Sequence, residues 1–224
     1  MSAAGRQLIE LSHVIRDGLV TYPGLPAPII DDHLTFESSR SVYAPGTEFR
    51  IARITMVANT GTYLDTPAHR YAHGLDLAGV GLERLVDLDG VVVDVRGTSE
   101  RGIGADVFPS DLVRGRAVLV LTGWSRHFGS QAYLAGHPFL TGSAAAYLAE
   151  AGATLVGIDS LNIDDIGGGE RPAHSALLAA GIPICEHLTN LELLPTTGFR
   201  FSAAPPRIEG MGTFPVRAWA ALDG

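Results

Sequence analysis

Three short apolar runs rich in β-branched residues, GVVVDV (90–95), AVLVLTG (117–123) and TLVGIDS (154–160), constrain the fold of this chain more than any other feature. Each has strand length and is bounded by Gly or polar residues, so each predicts a buried β-strand. A fourth run, IPICE (182–186), follows a helix-like AHSALLAAG (173–181). There Gly181 suits the position just past a helix end, and Pro183 blocks continuation. TGSAAAYLAEAGA (141–153) predicts a second helix, with a Thr or Ser cap before it and Gly152 after it. FRFSAAPPRIEGMGTFPVRAWAAL (199–222) reads as terminal strands joined by a turn. Strands interleaved with few helices predict one α/β domain over residues 1–224 with a mixed sheet.

Composition narrows the function classes. At 46% hydrophobic and 18% charged residues, the chain has ample core material. A formal charge of −8 argues against nucleic acid as a partner, because phosphate binding needs basic patches. With no run of basic residues, electrostatic membrane docking is not expected either. No segment approaches the roughly 18 apolar residues of a membrane span. The opening MSAAGRQLIELSH has no apolar core of a secretory leader. The one cysteine, Cys185, excludes an internal disulfide and fits a reducing cytoplasm. Its apolar surroundings predict a buried, inert thiol.

Polar chemistry concentrates in VANTGTYLDTPAHRYAHG (57–74). If 57–65 is extended, Asn59, Gly61, Tyr63 and Asp65 share one face. Asp65 or Thr66 then caps a helix that has Pro67 at its first position. His69 falls in the first helical turn, where the dipole favours the neutral imidazole that a general base needs. Taken alone, the same residues also describe an ordinary capped helix start with a surface His.

The ordered set of segments decides between these. NTGTYLDTPAH (59–69) keeps the Gly-Thr, Asp, Pro and last His of a His-x-Gly-Thr-His-x-Asp-x-Pro-x-His signature, with Asn59 and Tyr63 in place of its first two His. ELSHVIRDGLVTYPG (10–24), LTGWS (121–125), HPFL (137–140), GIDSLNIDD (157–165) and AHSALLAAGIPICEHLTNLELL (173–194) follow in order. Together they resemble the cyclase-like metal-dependent hydrolase family. The resemblance implies a swivelling β/β/α-type architecture with a barrel-like mixed sheet, in a homodimer. It also implies that Asp65, His174 and Glu186 hold a single divalent ion (Zn²⁺ or Mn²⁺), with His69 as base. Loss of two ligands removes the family's first ion position. Asn is a poor Zn²⁺ ligand, and a Tyr phenol must ionise to become a good one. Asn59 and Tyr63 therefore suit polarisation of a substrate carbonyl. Tyr22 and Trp124 are candidate walls for a planar substrate.

Three functions follow as expectations. The first is hydrolysis of an amide, formamide or cyclic amide bond in a small, aromatic molecule. The second is a metal-independent lyase, isomerase or cyclase that uses His69, Asp65, Tyr63 and Glu186 as acids and bases. The third is a catalytically silent small-molecule-binding protein.

Overall fold

In the computed structural model, which describes residues 6–222, the chain forms one curled, mixed sheet of nine strands with helices on one face. In chain order the strands begin with β1 (Gln7–Glu10), β2 (Ile29–Leu34), β3 (Ile51–Thr55) and β4 (Tyr63–Asp65). Then come β5 (Leu88–Asp94), β6 (Gly102–Ile103), β7 (Ala117–Leu121), β8 (Phe139–Leu140) and β9 (Leu155–Ile158). The last four are β10 (Ile184–Glu186), β11 (Phe199–Ser202), β12 (Thr213–Pro215) and β13 (Trp219–Leu222). The helices are the single turns α1 (Phe36–Ser39) and α2 (Ser110–Val113), and the longer α3 (Gly142–Ala151) and α4 (Pro172–Ala179). The large sheet runs β1-β13-β11-β5-β7-β9-β10-β4-β12, while β2-β3 and β6-β8 form separate pairs. Its centre, β5-β7-β9-β10, is parallel, and the flanks are antiparallel. The four strands and two helices expected from the sequence all form.

The parallel strands read as unbroken apolar runs because both of their faces are covered. Along β7, Val118 and Val120 pack with Ala144, Ala145 and Leu148 of α3 and with Leu177 and Leu178 of α4. Leu119 and Leu121 face the opposite way, into a layer with Ile9, Leu64, Cys185 and Phe201. Cys185 is fully buried, as expected. α3 starts at Thr141, whose hydroxyl accepts from the Ala144 amide at 3.2 Å, and stops at Gly152 in the left-handed region at φ 80°. Among the described residues, no helix is long and apolar enough to cross a membrane.

Two local expectations fail. The signature segment is extended only over Tyr63–Asp65. Upstream, the Thr60 hydroxyl donates to the Val57 carbonyl at 2.7 Å, and Gly61 sits at φ 67°, so 57–61 is a turn. A Cβ on Gly61 would lie 2.7 Å from Ile15 Cγ1, so glycine is required on both counts. Asn59 therefore reaches its neighbours by turning, not by strand alternation. Second, Pro67–His69 is one turn of 3₁₀ helix, not the start of an α-helix. Thr66 precedes it without capping it, its hydroxyl donating instead to the Gly212 carbonyl at 3.0 Å. A single turn has too few aligned peptides for a macrodipole, so the state of His69 is set by side chains.

Candidate active site

Strand register assembles the site. Across β4 and β10, Tyr63 lies opposite Glu186 and Asp65 opposite Ile184; across β4 and β12, Asp65 lies opposite Thr213. Paired residues share a face, so Tyr63, Asp65, Glu186 and Thr213 all project to the side on which α4 packs. His174, third residue of α4, meets them there.

Asp164, in the loop after β9, fixes that imidazole. Its carboxylate accepts the backbone amides of Ala173 (2.7 Å) and His174 (3.0 Å), and also His174 Nδ1 at 2.6 Å. One side chain thus caps α4 and holds a proton on Nδ1. His174 Nε2 is left facing Asp65 Oδ2 at 3.6 Å and Glu186 Oε1 at 3.7 Å. Burial alone would lower the pKa of His174. The hydrogen bond to Asp164, with the nearby charges of Asp65 and Glu186, outweighs it and raises the pKa.

Glu186 is fully buried and well satisfied. Its Oε1 accepts the Ile163 amide at 2.6 Å, and its Oε2 accepts the Tyr63 hydroxyl at 2.6 Å and Asn162 Nδ2 at 3.4 Å. Burial pushes its carboxyl upward, partly offset by the charge of His174. Tyr63 is pushed well above the usual phenol range by burial and then by the Glu186 and Asp65 charges. It stays protonated and acts as a donor to Glu186.

Thr213 links Asp65 to His69. Its hydroxyl donates to Asp65 Oδ1 and lies 2.7 Å from His69 Nδ1. A hydroxyl has one proton. With that proton on the Asp65 carboxylate, its oxygen accepts from His69 Nδ1–H. The assignment leaves the lone pair of His69 on Nε2. The His69 side chain is 34% exposed, against 0% for Asp65, so the imidazole is the part of this chain of contacts that a substrate reaches.

The donor set fits a divalent ion. Asp65 Oδ2 is buried and accepts no hydrogen bond among the described residues. An acceptor buried without a donor calls for a cation or a proton. Ligand atoms of Asp65, His69 and His174 all lie within 4.8 Å of one another. One carboxylate with two imidazoles is a set that suits Zn²⁺ or Mn²⁺.

These groups open into a cavity of about 270 Å³ lined by Tyr22, Leu25, Asn59, Tyr63, His69, Arg70, Asn162, Arg171, His174 and Glu186. Six residues singled out in the sequence are among them, and Asp65 is buried nearby. Trp124 is not. Its indole donates to the Tyr133 carbonyl at 3.1 Å and packs edge-on against His127. Sequence reasoning did not reach Thr213, Asp164, Asn162, Arg70 or Arg171. Asp164 had a signal: α4 begins with Pro172 after Arg171, a poor N-cap, so its first amides need an acceptor from elsewhere. Thr213 had none, since its partners lie about 145 residues upstream.

Residues 9–165 match the family model described as “Putative cyclase”. A kynurenine formamidase of Bacillus cereus is 27% identical over 216 residues, covering 94% of this chain and 95% of its own length. A solved potential metal-dependent hydrolase with cyclase activity superposes with a TM-score of 0.77 at 25% identity, over 98% of this chain and 99% of the other. An isatin hydrolase solved with the product analogue thioisatinate has a TM-score of 0.83 at 22% identity, over 98% and 93% respectively.

Proposed function

The chain belongs to the cyclase family, as a hydrolase, and from that premise we propose that it cleaves an amide, formamide or cyclic amide bond in a small molecule. The observation that carries this reading is the Asp65–Thr213–His69 contact chain, which engages Nδ1 of the cavity-lining His69 and leaves its Nε2 as the free ring nitrogen. Likeness to a kynurenine formamidase and to an isatin hydrolase supports the bond type.

In this scheme Asp65 and His174 of the close-set trio would hold one divalent ion, Zn²⁺ or Mn²⁺, with Glu186, 3.7 Å from His174, as third ligand in place of His69. When bound, the ion lowers the pKa of water and polarises a carbonyl. His69 Nε2 takes the proton of the attacking water and returns it to the leaving nitrogen. Asn59 donates to the scissile carbonyl. Tyr63 commits its proton to Glu186 and so fixes that carboxylate instead of polarising the substrate carbonyl, the role that the sequence suggests. Asp164 holds His174 in one orientation.

His69→Ala tests the scheme. Turnover of an arylformamide should fall by about 10² to 10⁴, with the metal content measured by elemental analysis unchanged. The mutual closeness of Asp65, His69 and His174 favours one variant, in which His69 is the third ligand; the mutant would then lose metal together with activity. Full activity in His69→Ala, or no turnover of any amide by the wild type, would return the choice to a metal-independent lyase, isomerase or cyclase, or to a silent binding protein. The cytoplasm is the proposed compartment, supported by the single buried thiol. A second copy of the chain is the proposed partner. The β2–β3 ribbon supports it: every residue of β3 is exposed, with Ile29 (56%) and Ile51 (47%) uncovered on one face and Ile30 (37%) and Ile54 (49%) on the other.

A further inference from the structure

Two arginines line the cavity, and nothing in the hydrolytic scheme uses them. Arg70 follows His69 directly, and Arg171 precedes the Pro172 that opens α4. Elsewhere, arginines such as Arg40, Arg53, Arg96 and Arg200 are paired with carboxylates. Neither Arg70 nor Arg171 forms an ion pair among the described residues. Arg171 is nonetheless held in place. Its NH1 donates to the carbonyls of Asp165 (3.1 Å), Gly168 (2.8 Å) and Glu170 (2.7 Å). Its Nε and NH2 have no partner among the described residues. Arg70 makes one long contact, Nε to Ser175 Oγ at 3.4 Å, and lies over the Tyr71 ring at 5.3 Å. One tethered guanidinium, Arg171, and one loosely held, Arg70, thus stand at the cavity with unfilled donors.

The charge layout of the cavity gives them a direction. Glu186 lies in its lining, with Asp65 and Asp164 buried close by. With His174 and a divalent ion balancing those carboxylates, the uncompensated charge of the lining is that of Arg70 and Arg171, which attract an anionic group on a ligand. Tyr22 and Leu25 supply apolar wall for the body of the molecule. A volume of about 270 Å³ admits a molecule of roughly one ring and its substituents. The planar guanidinium fork matches a carboxylate or a phosphate.

We propose that Arg70 and Arg171 form a carboxylate-recognition subsite, so that the substrate is a small amide bearing a carboxylate, its scissile carbonyl towards His69 and its anion towards the arginines. The inference rests on the amide-hydrolase reading of the same cavity.

The test separates the two. Binding of benzoate, benzamide and phenyl phosphate is measured by calorimetry on wild type, Arg70→Met and Arg171→Lys. Hydrolysis of formanilide and its ring-carboxylated isomers is measured in parallel. Benzoate should bind the wild type about tenfold or more tightly than benzamide, the worth of a charge-assisted contact. Each substitution should weaken benzoate about tenfold and benzamide by less. Arg171→Lys could loosen the 165–170 loop that its guanidinium ties; Arg70→Met lies outside that loop and decides alone if so. Equal binding of benzoate and benzamide, no measurable benzoate binding, or tighter binding of phenyl phosphate overturns the subsite. Arginine-dependent benzoate binding with no amide hydrolysed would keep the subsite and overturn the hydrolase reading. Faster hydrolysis of formanilide than of all its carboxylated isomers, without benzoate preference, would do the reverse.

Discussion

At the scale of single residues, Thr213 is the most informative position, because its hydroxyl serves two catalytic groups at once. It donates to Asp65 Oδ1, and so its oxygen can take only a proton donated by His69 Nδ1. Valine has nearly the same shape and none of this chemistry. Thr213→Val should leave the fold intact and lower kcat by about 10- to 100-fold, with the loss coming from an imidazole no longer held in one tautomer. Thr213→Ser restores the hydroxyl and should recover most of the rate. The pH–rate profile on an arylformamide is the sharper measurement. The valine variant should shift the limb that reports the base, whereas a packing defect would lower the whole curve without moving it. Failure of serine to rescue would reduce Thr213 to a structural residue. Tyr63 makes a different point at this scale. Substitution of a signature His by Tyr reads in the sequence as loss of a ligand. In the fold the phenol is buried and protonated, with its hydroxyl on Glu186.

At the scale of elements, α4 depends on a carboxylate outside itself. Asp164 accepts two of the helix's first amides and orients His174 through Nδ1. Asp164→Asn keeps the shape, removes the charge and offers His174 an amide in place of a carboxylate. Two effects should appear together: a loss of about 1–2 kcal/mol in urea unfolding from the weakened cap, and a roughly 10- to 100-fold loss of Zn²⁺ affinity from the misoriented imidazole. Stability loss with unchanged metal affinity would mean that Asp164 serves the helix alone. This position also marks how far the sequence was legible. β7, β9, α3 and α4 could be read directly, because apolar periodicity and local caps such as Thr141 and Gly152 are encoded within a dozen residues. Asp65, His69, His174 and Glu186 were legible as a set because of their ordered motifs. The turn at 57–61 was not, because its Gly61 amide is held by the Thr21 hydroxyl, 40 positions upstream. Nor was the β4–β12 pairing that delivers Thr213 to Asp65, because strand partnership between distant segments leaves no local trace. Trp124 was a plausible wall by composition, but the turn at Gly123, with φ 73°, directs the indole to Tyr133 instead.

At the scale of the whole molecule, two features bear on assembly and on acid stability. Among the described residues the β2–β3 ribbon pairs only with itself, and it carries exposed Ile29 and Ile51 on one face and Ile30 and Ile54 on the other. If a second copy covers it, Ile51→Asp with Ile54→Asp should convert a dimer to a monomer in analytical ultracentrifugation; a wild-type monomer would remove the proposal. Acid stability turns on a cluster behind the site. His187 is fully buried, its Nδ1 is 2.8 Å from the Tyr133 hydroxyl, and its Nε2 has no partner among the described residues. Burial first, then His13 and His137, lowers its pKa from 6.5 to about 3. The folded state therefore keeps His187 neutral where the unfolded chain already binds a proton. Above pH 6.5 neither state is protonated and the group has no pH-dependent effect. As pH falls from 6.5 towards 3, the unfolded state takes up a proton that the folded state refuses, and stability drops by about 1.4 kcal/mol per pH unit. His13, stacked on Phe128 at 3.7 Å and lowered to about 4 mainly by burial, acts in the same sense. Asp159 opposes them, since burial raises it to about 6 and the folded state gains protons first as pH falls through that value. Subtracting two proteins isolates one group from this mixture. His187→Asn tolerates the left-handed backbone at φ 57° and removes the titration. Unfolding free energies of wild type and variant, measured in urea at intervals between pH 7 and pH 4, should then diverge in slope. The wild type should lose about 1.4 kcal/mol more per pH unit below 6.5. Parallel curves would mean that His187 takes up its proton in the folded chain as readily as in the unfolded one.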